Sequence, residues 1–485
     1  MFNTEKSKNL ILSIIILIIP FLEFIKNNLN EFDIIVGKSF YVLIILITIS
    51  LLFIAYILNF FIKKLTYFES LLISTTAYWV FFKHNSLNLF FQKIFQSNKI
   101  GTEFSSEISL LFLVLLTTII SIFVIKKSVF FKRFISLFFL LSFFFLLLQI
   151  SFFKKDVINS DQNKENLIVF PDKANNKKDN IYFFILDAMQ PLKEFEKYYN
   201  IELNSFISEY KKHNYIYFNN TENLYTNTTD GLSAVFYLDK IFTKDKKLKK
   251  KAKVLFPTLL RKNFKSDLIY NLENLGYEFK WIGNFFAYCP KFNLRYCLNQ
   301  NQHELIDTYL YINFFRQSPL IQIIWSTGRI FNFDFNKYFF YNLNDGMGRL
   351  TKNLGKNKNL EKPTFYFVHH MSPHWPYITD KDCSFKNYPG EENFEGYKSA
   401  YLCNLKKIKN TIEFIEKNDP NSFVVFQSDH NWQMSKTKKE KKLIFNLIKE
   451  KKNCRLDKDV NLNNVNSLRL IFSCITGNKV EFINF

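Results

Sequence analysis

The sequence predicts a two-part protein: an N-terminal α-helical transmembrane bundle of about five spans, then an α/β/α sandwich. Three observations lead there. Runs of Phe, Leu and Ile crowd residues 1–153. Beyond them, β-favouring apolar runs alternate with a helix-spaced pattern, as in α/β domains. Aspartates and histidines stand directly after those apolar runs, where α/β sheets gather their ligands. The expected boundaries are 1–153 for the membrane part, 154–179 for a polar linker and 180–485 for the soluble domain.

In the membrane part the runs are Leu10–Ile25, Phe40–Ile62, Leu65–Phe82, Leu110–Ile125 and Phe134–Phe153. A helix needs roughly 20 apolar residues to cross the hydrocarbon core. The second, fourth and fifth runs meet that need. The first is shorter, with Glu23 near its end, and no small-residue cleavage site follows it. The third, holding Glu69 and several Ser and Thr, is the least apolar. After it, "NSLNLFFQKIF" reads as an amphipathic piece lying along the interface. Lys6 and Lys8, Lys63 and Lys64, and the loop "KKSVFFKR" place the N-terminus in the cytoplasm by the positive-inside rule. Five crossings then deliver everything after Phe153 to the extracytoplasmic face of the inner membrane. Loss of the third span would invert that topology.

The chain has a formal charge of +21. Residues 154–485 hold 51 Lys and Arg against 36 Asp and Glu. Such a surplus suits nucleic acid, anionic lipid or phosphate-bearing substrates. No nucleic-acid motif accompanies it, so nucleic acid is set aside. The stretch "KDKKLKKKAK", Lys244 to Lys253, reads as a solvated segment or as a patch for anionic lipid heads. All 6 cysteines lie in the second part and none forms a C-x-x-C pair. An even number in one region points to disulfides and an oxidising compartment. Sequence neighbours give the pairing Cys289–Cys297, Cys383–Cys403 and Cys454–Cys474. Reduced core cysteines are the alternative.

The soluble part opens with "NIYFFILDAM", an apolar strand ending at Asp187. "GYEFKWIGN", "TFYFVHH" and "NSFVVFQSDH" are further strands, the last ending at Asp429 and His430. "YLCNLKKIKNTIEFI" is a helix by the spacing of Leu402, Leu405, Ile408, Ile412 and Ile415. In "TFYFVHHMSPHWPY" stand His369, His370 and His374, three of the chain's 7 histidines. Carboxylates and imidazoles gathered at one sheet edge would hold a divalent cation, Zn or Mn by the donor set. A nucleophile is offered by "LYTNTTDGLSAVFYL", where Thr228 and Thr229 precede a helix-like run. A hydroxyl at a helix N-terminus sits in a positive field, beside amides that can hold phosphate oxygens. The same residues, with Asp230, would also serve as a helix cap.

With these motifs in this order, the chain resembles the alkaline phosphatase/sulfatase superfamily over about residues 180–475. The resemblance is to its membrane-anchored branch, the lipoteichoic-acid synthases and phosphoethanolamine transferases. It implies an alkaline phosphatase/sulfatase-type sandwich and a metal-dependent phosphotransferase or hydrolase. One metal would be held by Asp187, Thr229, Asp429 and His430, with Thr229 as nucleophile. His370 and His374 would hold the phosphoryl group, one neutralising its oxygens and the other protonating the leaving alkoxide. His369 then reads as a packing residue or as a support behind the ligands. Pro373 and Pro376 would stiffen the loop. The substrates implied are a phospholipid and an envelope lipid or glycan.

Departures narrow the reading. No C/S-x-P-x-R setting exists for formylglycine, and no second Asp stands beside Asp187. Sulfate-ester hydrolysis is therefore disfavoured. Asn431 replaces a common Gly after the Asp–His pair. Leu232 stands where a Ser or Thr is usual, with Ser233 one position later, which leaves Thr228 and Thr229 both open as nucleophile. The rival readings are a membrane-anchored phosphatase or phosphodiesterase, and a non-catalytic binding domain. Transport by the spans is disfavoured by their few charges.

Overall fold

The structure, a computed structural model, describes residues 4–27, 38–95, 119, 129–152, 170, 178–223, 225–240, 265–282, 314, 318, 345–354, 362–375, 377–386, 394–432, 437, 440–452, 454, 462–478 and 481–483. The chain forms two compact units. Met1–Val157 and Asp307–Ile330 make the first; Ile158–Ile306 and Phe331–Phe485 make the second. Asp307–Ile330, which the sequence assigns to the soluble domain, thus groups with the N-terminal helices.

Among the described residues, four helices build the first unit: α1 (Thr4–Asn27), α2 (Lys38–Phe61), α3 (Tyr67–Phe95) and α4 (Val129–Ser151). Three of the described helices are long and apolar enough to cross a membrane: Glu5–Asn27, Tyr41–Phe61 and Arg133–Ser151. The expected five are not all seen. The fourth run lies outside the described residues apart from Ile119. The third run forms α3, which continues through the stretch expected to lie along the interface. Its polarity has a packing cause. Ser70, Ser74 and Thr75 are buried, and α3 packs on both α1 and α2. Ser74 and Thr75 donate to the carbonyls of Ser70 and Leu71 one turn back, at 2.8 and 3.0 Å. Lys83 of α3 pairs with Glu23 of α1. Apolar side chains of α2 and α4, such as Ile45, Phe53, Leu141 and Phe145, are instead exposed. Phe314 is buried in this unit, stacked on Phe21 at 4.8 Å and edge-on to Phe24 at 5.4 Å.

The second unit is a sheet between two helical layers. Its strands are β1 (Ile181–Leu186), β2 (Tyr215–Tyr217), β3 (Glu278–Ile282), β4 (Thr364–His370), β5 (Phe423–Ser428) and β6 (Asn446–Lys449). Their order is β2-β6-β5-β1-β4-β3. β1 lies parallel between β4 and β5, β3 extends the parallel set, and β6 runs antiparallel to β5. Each of β1, β4 and β5 is buried along its whole length, as their unbroken apolar runs require. Alternate side chains enter different cores. Phe183, Ile185, Phe365 and Phe367 pack with helices α7 (Thr228–Tyr237), α8 (Asp267–Asn274) and α11 (Asn466–Thr476). Phe184, Leu186, Tyr366 and Val368 pack with α5 (Leu192–Tyr199), α6 (Asn204–Lys212), α9 (Gly346–Leu354) and α10 (Phe394–Asn418). The expected helix within "YLCNLKKIKNTIEFI" is part of α10. Gly276, at φ +81°, turns the chain from α8 into β3.

Disulfides join Cys383 to Cys403 and Cys454 to Cys474. These are two of the three expected pairs; Cys289 and Cys297 lie outside the described residues, as does the Lys244–Lys253 stretch. The Cys454–Cys474 bridge closes a sequence separation of 20. Replacing both cysteines by Ser should cost about 3 kcal/mol through the freed unfolded chain. The denaturation midpoint should fall accordingly, and an unshifted midpoint would count against the bridge.

Candidate metal centre

The carboxyl ends of β1, β4 and β5 present the site, where the strand order reverses direction around β1. Asp187 follows β1 directly, and its backbone N–H donates to the His370 carbonyl at 2.9 Å. His369 Nε2 stands 3.4 Å from Asp187 Oδ2, and His430 Nε2 stands 3.3 Å from Asp187 Oδ1. Asp429 Oδ1 accepts from the N–H groups of Ala188 at 3.2 Å and His430 at 2.9 Å. Its Oδ2 lies 3.8 Å from His430 Nε2. His430 commits Nδ1 to the Asn431 carbonyl at 2.7 Å, which turns Nε2 toward the carboxylates. His374, half-buried, meets His430 edge to face at 6.2 Å between ring centres.

Helix α7 brings the hydroxyl. Asn227 caps it, accepting from the Asp230 N–H at 2.9 Å, and its own amide donates to the Asp230 carboxylate at 2.9 Å. The threonines are thereby released from the capping role that the sequence left open for them. Thr228 Oγ1 lies 3.1 Å from His430 Nε2. This approach depends on Gly231. A Cβ built there would stand 2.7 Å from the Asp429 carbonyl oxygen and 3.2 Å from Asn223 Nδ2.

Electrostatics ties the group together. Burial raises the Asp429 carboxyl above its ordinary range, and the neighbouring Asp187 charge raises it further. Burial opposes ionisation of Asp187 as well, but His374, His369 and His430 outweigh it and hold that carboxyl well below its usual range. His430 is pushed up to about 10: burial disfavours its charge, yet Asp429 and Asp187 favour it more. Two buried carboxylates thus draw positive charge between them. Asp187 Oδ1 and Asp429 Oδ2 are buried without a hydrogen-bond partner. Orphaned carboxylate oxygens facing imidazoles fit a divalent cation. Two overlapping sets have ligand atoms within 4.8 Å of one another: Asp187, His374 and His430, and Asp187, His369 and Asp429.

The structure thus brings Asp187, Asp429, His430 and His374 together. Two other candidates are placed differently. The hydroxyl reaching the cluster is that of Thr228; Thr229 contributes its carbonyl to the Ser233 hydroxyl at 2.6 Å, and no bond from its own hydroxyl to the cluster is present among the described residues. His370 is not brought to the site. It shares the face of Tyr366 and Val368, and its Nε2 meets Asn404 Oδ1 at 2.8 Å. Burial first, then the Lys407 charge, hold it neutral with its pKa down to about 3. His369, read as a packing residue or a support behind the ligands, stands beside Asp187, its Nε2 3.4 Å from Oδ2. Tyr377, in the same loop, is buried and accepts from Trp432 Nε1 at 3.1 Å. Glu194 escaped the sequence reading, since nothing local marks a carboxylate in an amphipathic helix. It is 8% exposed and accepts from Asn431 Nδ2 at 2.8 Å.

No protein-family model and no curated protein matches the chain. Among solved structures, distant likenesses are found. The integral membrane lipooligosaccharide phosphoethanolamine transferase A from Neisseria meningitidis is 14% identical, with 97% of this chain and 95% of that chain covered, at a TM-score of 0.44. The C-terminal periplasmic domain of EcEptC from Escherichia coli, in complex with Zn, is 15% identical over 65% of this chain and 87% of that chain, at 0.40. The putative sulfatase yidJ from Bacteroides fragilis is 14% identical over 62% and 75%, at 0.38. At such identities and TM-scores they carry no argument.

Two outcomes follow from the geometry. An Ala for Gly inside a helix ordinarily stabilises by about 1 kcal/mol. Gly231→Ala should do the reverse, costing about 1–3 kcal/mol by overpacking against Asp429. Thermal melts settle the sign. Burial pushes Glu194 up to about 7, so the folded state binds its proton more tightly than the unfolded chain. Its contribution to stability is then fullest below the ordinary carboxylate range and falls as pH rises toward 7. Glu194→Gln should raise the melting temperature at pH 8 and leave it unchanged near pH 4; an equal effect at both would contradict the shift.

Proposed function

We propose that the protein transfers a phosphoryl or phospho-head group through a threonine hydroxyl, that of Thr228, at the extracytoplasmic face of the inner membrane. The acceptor is an envelope lipid or glycan. One observation carries this reading: His430 Nε2 stands 3.1 Å from Thr228 Oγ1 and 3.3 Å from Asp187 Oδ1, placing a helix-N-terminal hydroxyl against a buried Asp–His cluster. The pairs Cys383–Cys403 and Cys454–Cys474 support the oxidising side of the membrane.

Asp187, Asp429, His430 and the Thr228 hydroxyl would hold a divalent cation, zinc or manganese, with His369 and His374 alongside. When bound, such an ion lowers the pKa of the hydroxyl and offsets phosphoryl charge. Thr228 loses its proton to water, and Oγ1 attacks phosphorus as the P–O bond to the leaving alkoxide breaks. The amides at the start of α7 receive the phosphoryl oxygens. Water at the exposed edge of the site, beside the partly buried His374, gives a proton to the departing alkoxide. A hydroxyl of the acceptor then takes the group from Thr228 by the reverse sequence. Tethering to a membrane raises the effective concentration of a lipid substrate.

Mass spectrometry after brief exposure to phosphatidylethanolamine and phosphatidylglycerol vesicles tests this. A head-group phosphate increment should appear on the peptide holding Thr228 and Thr229. Thr228→Ala should abolish both increment and turnover, while Thr229→Ala retains them. An increment that survives Thr228→Ala, or none in the native protein, would overturn the assignment.

A further inference from the structure

Helix α10 touches all three loops that carry the site. Tyr397, Tyr401 and Asn404 lie at i, i+4 and i+7, one stripe of the helix. The Tyr397 hydroxyl donates to the Ala188 carbonyl at 2.9 Å, and its oxygen accepts the Gln190 N–H at 3.1 Å. The Tyr401 hydroxyl donates to the Gln190 carbonyl at 2.9 Å. These bonds hold the loop after Asp187. The Tyr397 ring stacks on Trp432 at 4.2 Å, holding the loop after His430.

Asn404 holds the third. Its Nδ2 donates to the Ser372 carbonyl at 2.6 Å, two residues before His374. That bond fixes the amide's orientation, because a carbonyl can only accept. Asn404 Oδ1 therefore faces His370 Nε2 at 2.8 Å and makes it the protonated nitrogen of a neutral ring. His370 Nδ1 faces the Met347 N–H at 3.5 Å and Asp345 Oδ1 at 3.6 Å. Asp345 is offset by Lys407, 3.1 Å away on the next turn of α10. Asn404 and His370 are both fully buried. A buried amide using both ends leaves no slack, and removing it strands a donor and an acceptor together.

We propose that Asn404 is a positioning residue for His374, acting through the Ser372 carbonyl, and that His370 serves this brace. The proposal rests on the metal-centre reading above, in which His374 lies against the cation. It gives the third adjacent histidine a role that touches neither metal nor substrate.

A double-mutant cycle tests it on the full-length protein in detergent, read by zinc affinity against a chromogenic chelator. His374→Ala and Asn404→Leu should each weaken zinc binding about tenfold or more, the range for groups that orient ligands. The double variant should bind no more weakly than His374→Ala alone. Full additivity, or an Asn404→Leu protein that binds zinc as the native does, overturns the proposal. A null result for His374→Ala instead overturns the metal-centre reading and leaves the brace without a client. If Asn404→Leu does not fold, Asn404→Ser keeps one donor with shorter reach. It should lose less affinity, again without adding to His374→Ala, and additive loss there is equally decisive.

Discussion

Two carboxylates buried side by side govern this molecule. Asp187 and Asp429 are each 1% exposed. A buried ion costs several kcal/mol after relaxation. Hydrogen bonds to a charged group return about 1.5–3 kcal/mol each. Asp429 receives two such bonds through Oδ1, from Ala188 and His430, which accounts for one oxygen of the four. The remaining deficit calls for positive charge. With protein groups alone it comes from His430, whose charged form both carboxylates favour. A divalent cation would supply twice that charge at the same place, and this is why the cluster reads as a metal centre rather than a structural ion pair.

The sheet makes that juxtaposition unavoidable. β1 lies between β4 and β5 in register, with Leu186 opposite both His370 and Ser428. The residues that follow each strand end must then converge. Helices on each face add what the strands lack. From one side α7 delivers Thr228, and only a glycine at 231 lets it come close enough. From the other, α10 sends polar side chains to the same loops. Gly346 repeats the device at α9, where a Cβ would stand 2.7 Å from the His369 carbonyl oxygen.

Much of this was legible beforehand. Strands buried on both faces leave unbroken apolar runs, so β1, β4 and β5 announced themselves, and their terminal Asp and His with them. β2 and β6 span three and four residues, too short to carry a period, and went unseen. Thr228 and Thr229 are adjacent on a helix and differ by 100° in direction, which no local signal resolves. Asn227 takes the cap, so Thr228 begins the helix, and its hydroxyl is the one that lies 3.1 Å from His430 Nε2.

The histidine pair shows where sequence reasoning stops. Adjacent strand residues point to opposite faces, so one of His369 and His370 had to face α7 and the other α10. Motif order alone cannot say which helix covers which face. The packing does: Phe365 and Phe367 share a core with α7, and His369 continues their parity. Tyr366 and Val368 share a core with α10, and His370 continues theirs. The two rings therefore meet different partners. His369 Nε2 stands 3.4 Å from Asp187 Oδ2, whereas burial and the Lys407 charge hold His370 neutral, a hydrogen-bonding strut. Identical side chains one residue apart thus face the carboxylate cluster on one side of the sheet and brace a helix on the other, and the division follows from strand parity before any chemistry is considered.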